Sequence, residues 1–102
     1  MSNFDELIEI NFGNPSLELL TKHYTQCVSV LCYYKAQLII DHKQYWSGKI
    51  MIQTKQRKAL ESKIEQLFPG TNVKELLRST YGDLSECKDP GHKEQLEKEL
   101  MK

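Results

Sequence analysis

The chain has 102 residues, 14 Lys and Arg against 14 Asp and Glu, and 39% hydrophobic residues. That length fits one domain with a modest core, and the neutral balance argues against a chain built wholly around nucleic acid. No apolar run approaches the ~20 residues that a membrane span needs.

Residues 3–10 are expected to form a short helix. Ser2 can cap it, Asp5 and Glu6 suit its positive end, and Phe4, Leu7 and Ile8 give one apolar face. Gly13 then ends the N-terminal segment, residues 1–13. Asn14-Pro15-Ser16 is a loop and helix start, with proline in the first turn and Asn14 or Ser16 as the cap.

Residues 14–68 carry the fold. From Ser16 to Phe68 there is no proline and one glycine, Gly48. Leu17, Leu20, Tyr24, Cys27, Leu31, Tyr34 and Leu38 recur at steps of three and four, the seam of a helical bundle. Val28, Val30, Ile39 and Ile40 are expected to widen that face. A polar stretch, Asp41-His42-Lys43-Gln44, precedes Tyr45, Trp46, Ser47 and Gly48. Glycine costs about 1 kcal/mol in a helix interior relative to alanine, so the bend is placed near Ser47–Gly48, with Asp41–Gln44 as the competing site. The second arm reads Trp46, Ile50, Gln53, Arg57, Leu60, Ile64 and Leu67, apolar at both ends and polar in the middle.

An αα-hairpin of Pro15–Gln44 and Lys49–Phe68 follows. One continuous helix, or a short β-hairpin pairing Gln37–Ile40 with Ile50–Gln53, are the alternatives. Phe68-Pro69-Gly70 breaks the second arm. Within 69–88, a helix over 72–81 starts at a Thr71 or Asn72 cap, buries Val73, Leu76 and Leu77, and ends with Gly82 in the left-handed position. Asp89-Pro90 starts a charged last helix, 90–101, in which Glu94 and Lys98 form a four-residue pair; with only Leu96, Leu100 and Met101 apolar, it docks narrowly or frays. The expected fold class is therefore all-α, a helical hairpin with short flanking helices, and an oligomer, most simply a dimer, is expected to complete the bundle.

Charge is uneven along the chain. Residues 1–20 carry four acids and no base, and residues 42–63 carry Lys43, Lys49, Lys55, Arg57, Lys58 and Lys63 against Glu61 alone. Acidic ends lying over a basic second arm is the plainest expectation. Lysine outnumbers arginine twelve to two, a bias associated with low-GC bacterial or phage coding sources. Cys27, Cys32 and Cys87 are an odd set, and the acidic start Met1–Glu6 lacks the hydrophobic run of a signal peptide. Free thiols in a cytoplasmic protein are expected.

His23 and Cys27 are four apart on one helix, half of a zinc site and no more. Ser47-Gly48-Lys49 lacks the upstream glycine of a phosphate loop, and Glu61 with Glu65 reads as a solvated pair. No catalytic set, cofactor or metal is expected. The suggestive feature is a cluster of aromatic and basic residues around the bend: Tyr34, Lys35, Lys43, Tyr45, Trp46, Lys49 and Arg57. Aromatics and cations together suit a protein interface or a small anionic, nucleotide-like ligand. A core role for Tyr34 and Trp46 is the plainer alternative. Non-catalytic binding, in a regulatory or accessory role, is the functional expectation. The alternative is a nucleic-acid-binding regulator that uses the basic helix 43–63. A helix-turn-helix across Pro69-Gly70 offers only Lys74 and Arg78 for recognition. No motif identifies a family; the size and helical character are similar to those of small bacteriocin-immunity proteins and small phage inhibitors, from which no residue role carries over.

Overall fold

The computed structural model of the protein describes residues 6, 8–10, 13–82 and 87–101. Among them it holds four long or medium helices: α1 (Leu17–Asp41), α2 (Gln44–Leu67), α3 (Val73–Tyr81) and α4 (Pro90–Met101). Glu6 and residues 8–10 are also helical. No strand occurs among the described residues, and none of their helices is long and apolar enough to cross a membrane.

The starts of α1, α3 and α4 are each fixed by a cap that the chain encodes. The Ser16 hydroxyl accepts from the Leu19 amide at 3.1 Å, and Asn72 accepts from the Lys74 and Glu75 amides at 3.0 and 3.4 Å. Asp89 accepts from the Gly91 and His92 amides at 3.0 and 3.2 Å. Such a contact satisfies one of the amides a helix start leaves without a partner. Gly70, at φ +89, turns the chain after α2 in a conformation that favours glycine. Gly82 departs from expectation. It is right-handed, φ −59 and ψ −30, because the helical backbone runs on into it.

The long stretch is a hairpin, with α1 and α2 packed side by side. The reversal lies at His42–Lys43, within the competing site Asp41–Gln44, and not at Gly48. His42 takes the left-handed conformation, φ 59, and its amide donates to the Leu38 carbonyl at 2.8 Å, closing α1. Gly48 lies inside the first two turns of α2, where the helical hydrogen bonds tolerate it. Both segments of the supposed β-hairpin are helical, and the single continuous helix is excluded by the turn.

The α1 seam packs as its spacing requires: Leu20, Tyr24 and Cys27 are buried with Leu60 and Ile64 of α2 in one core cluster, and Leu31 is buried as well. The second row is different. Val28 is fully buried, but Val30, Ile39 and Ile40 are exposed. Thr25, Cys32 and Ala36 are buried instead, on the side of α1 that α3 and α4 cover. Leu77 of α3 and Leu96 of α4 complete the core, and Tyr81 donates its hydroxyl to the Thr25 carbonyl at 2.7 Å. In the N-terminal segment Ile10 is buried and Ile8 exposed. Ser2, Phe4 and Leu7 lie outside the described residues, as does most of the loop before α4.

A Cβ at Gly48 would meet nothing within 4 Å. Gly48→Ala is therefore expected to raise stability by about 0.5–1 kcal/mol, by restricting the unfolded chain and restoring helix propensity. Urea unfolding checks this; a loss of stability would mean that the position does not stay helical.

Candidate functional site

The seven residues singled out from the sequence divide into two groups. The first surrounds the hairpin turn. The Trp46 indole N–H donates to the Asp41 carboxylate at 3.0 Å, tying the start of α2 to the end of α1 across the reversal. This anchors a cluster of rings that meet edge-on or tilted: Trp46 lies with its centroid 5.7 Å from Tyr34, 5.0 Å from Tyr45 and 6.3 Å from Tyr33. The Lys49 ammonium sits 5.3 Å from the Tyr34 ring centre and 4.9 Å from that of Tyr45, within the range of attraction between a cation and a ring face. Polar contact with Tyr45 and then the nearby Tyr34 hold the Lys49 ammonium above the usual lysine range. Lys43 is the exposed residue before α2, and its side chain makes no capping bond.

Exposed apolar side chains flank the polar turn, Asp41–Gln44. Ile39, Ile40, Tyr45, Met51 and Ile52, from the two sides of the turn, are each 57–64% exposed. Tyr34 and Trp46 are half-buried, Tyr33 and Tyr45 exposed. The sequence names the aromatics and lysine of this site. It does not reveal that the neighbouring isoleucines stay outside, because α1 is longer than the face its partners cover.

The second group, Lys35 and Arg57, is half-buried and turned toward α4. The Arg57 guanidinium donates to Glu99 of α4 at 2.8 Å and to Glu61 at 3.1 Å. Lys35 lies 4.0 Å from the same Glu99 carboxylate, which is 5% exposed. The Tyr24 hydroxyl donates to Glu61 at 3.0 Å, and Arg57 stands 5.8 Å from the Tyr24 ring centre. Burial opposes the charge on Arg57, but hydrogen bonding to Glu99, the Glu99 charge and the adjoining Tyr24 together outweigh it and hold the guanidinium protonated. The polar middle of α2 is thereby explained. Arg57 meets acids from α2 and α4, and the Gln53 amide and backbone oxygens accept from the Cys27 thiol at 3.2 and 3.4 Å. Glu61, read as solvated, is instead a member of this network, whereas Glu65 is exposed.

Among the described residues the expected cover of acidic ends over the basic arm is met at Glu99 on Arg57. Glu6 turns elsewhere, to Lys22 at 3.0 Å and His23 at 2.9 Å. Lys22 first, then His23, hold its carboxyl below the usual range, so this contact contributes above the ordinary carboxylate titration and fades as pH falls through the folded value. Among the described residues no ion pair involves Lys43, Lys55, Lys58 or Lys63, and no three His, Cys, Asp or Glu side chains converge as for a metal.

Burial pushes the Tyr24 hydroxyl up to about 12, against about 10 in the unfolded chain. The neutral form is favoured in the fold. Its contribution is complete below pH ~10 and lost as pH rises through ~12, a loss of about 2–3 kcal/mol. Urea unfolding at pH 10, 11 and 12 should show this decline, and Tyr24→Phe should reduce it; an identical decline in the variant would contradict the assignment.

Comparison of the chain with protein families, curated sequences and solved structures found no match.

Proposed function

We propose that the protein is a non-catalytic binding protein whose working surface is the turn end of the α1–α2 hairpin, and that its partner is a protein. The observation that carries this reading is the exposure of Ile39, Ile40, Tyr45, Met51 and Ile52 within one short stretch around the turn. Monomeric soluble proteins rarely leave such apolar clusters uncovered unless they bind something. The adjoining Trp46, Tyr34 and Tyr33 rings are the residue types that dominate interface energetics. Trp46 is held by the Asp41 bond and Tyr34 lies against Lys49, so little freedom of these two side chains remains to be lost on binding.

A small anionic ligand fits less well. Arg57 and Lys35 are engaged with Glu99, and Lys49 is engaged with two tyrosine rings. The simplest protein partner is a second copy of the chain, which would pair two turn ends or two hairpin faces. A regulatory or accessory role in the cytoplasm, in a phage or low-GC bacterial setting, remains the context in which we place it.

One observation favours a second reading, in which Lys55, Lys58 and Lys63 contact nucleic acid phosphates. These lysines have no ion-pair partner among the described residues. Such binding would weaken steeply with salt.

Parallel captures from lysate with wild type, an Ile40→Glu/Ile52→Glu variant and a Lys55→Glu/Lys58→Glu variant, combined with light scattering of each, separate the readings. The turn-end proposal expects a stoichiometric partner, or self-association, that the isoleucine variant loses and the lysine variant keeps. Loss with the lysine variant alone, together with retention on heparin by the wild type, would replace it with the nucleic-acid reading. Equal behaviour of all three proteins would contradict both.

A further inference from the structure

Cys87 and His92 face each other at the start of α4, outside both groups described above. The His92 Nε2 atom lies 2.9 Å from the Ser29 carbonyl oxygen and 3.2 Å from the Ser29 hydroxyl. A carbonyl can only accept, so Nε2 carries the ring proton and Nδ1 is left with its lone pair. That bare Nδ1 stands 3.8 Å from the Cys87 sulfur. The backbone of His92 and its ring each have one further contact. The Asp89 carboxylate accepts from the His92 amide at 3.2 Å, and the Tyr33 ring meets the imidazole edge-on with centroids 6.0 Å apart. A nucleophile facing a base, with the base oriented by a third group, is the arrangement that activates a thiol.

The other acceptor near the thiol is the Asp89 carbonyl, also at 3.8 Å. It can take a hydrogen bond but not a proton, so the imidazole is the base of the pair. Cys87 is half-buried, whereas Cys27 and Cys32 are buried. Burial also pushes the Cys27 thiol up, away from the reactive thiolate. The three cysteines are therefore not equivalent.

We propose that Cys87 is a reactive thiol, with His92 as its general base, that exchanges with low-molecular-weight disulfides. His92 Nδ1 accepts the Cys87 proton as the sulfur attacks one sulfur of the incoming disulfide. The disulfide's S–S bond breaks, a Cys87 mixed disulfide forms, and the departing thiolate takes the proton back from His92. The incoming disulfide is the oxidant and is itself reduced to one thiol, so the step needs no other reagent. The adduct would stand at the start of α4, beside the point where Gly91 approaches the Ala36 side chain of α1.

The full chain is incubated with glutathione disulfide at pH 7.5, and adducts are mapped by peptide mass spectrometry. The proposal expects Cys87 to be modified first, about tenfold faster than the same cysteine in urea-unfolded protein. His92→Gln keeps a donor for the Ser29 carbonyl but removes the base, and should lower the native rate about tenfold. A native rate at or below the unfolded rate overturns the proposal. So does an unchanged rate in a folded His92→Gln protein. Should that variant fail to fold, the native-to-unfolded comparison still decides.

Discussion

The ion pair between Arg57 and Glu99 joins parts of the chain that the hydrophobic effect alone would not bring into register. Glu99 is 5% exposed, and Arg57 binds it at 2.8 Å while also meeting Glu61 of its own helix. Taking these charges out of water costs several kcal/mol each, and only a nearly complete set of partners offsets that. The set comes from three helices: Tyr24 and Lys35 from α1, Arg57 and Glu61 from α2, Glu99 from α4. A sliding or rotation of α4 on the hairpin would leave an interior charge without its counterion. A short helix with few apolar residues thus acquires one defined position.

With α3 and α4 committed to one side of α1, the aliphatic side chains at the turn end of the hairpin are exposed among the described residues. Its isoleucines and Tyr45 are exposed beside a ring cluster that is braced by Asp41 and Lys49. Helical backbone, anchored aromatics and exposed aliphatic side chains occur together there. In the interior the same classes of residue, Tyr24 with a cation and a carboxylate, serve to fix the fold. The difference lies in whether neighbouring helices reach that level of the hairpin.

Much of this architecture is legible in the chain. The three- and four-residue steps from Leu17 to Leu38 specify α1, and Ser16, Asn72 and Asp89 mark the helix starts because a short polar side chain there satisfies amides that nothing else reaches. The reversal was less legible. Glycine signals a turn on propensity, yet the chain turns at His42, whose left-handed conformation is stabilised by its bond to Leu38 and by the nearby Trp46–Asp41 contact. Propensity is a weak term beside such specific contacts. The ionic network was hidden for a different reason: Arg57 and Glu99 are 42 positions apart, and no local pattern reveals a pairing set by how α4 crosses the hairpin. Arg57 and Lys35 therefore read as surface cations, and Glu61 as a solvated acid. Of the candidate site, the composition was visible at Tyr34, Tyr45, Trp46 and Lys49, and the exposure of its rim was not.

The most direct test of this account is a double-mutant cycle on Arg57 and Glu99 by urea unfolding. The account predicts that Glu99→Ala alone costs about 3 kcal/mol, because it leaves the half-buried Arg57 short of a partner. It also predicts that the two single losses exceed the loss in the double variant by about 1–3 kcal/mol. Single losses that simply add, within about 0.5 kcal/mol, would show that the pair does not position α4.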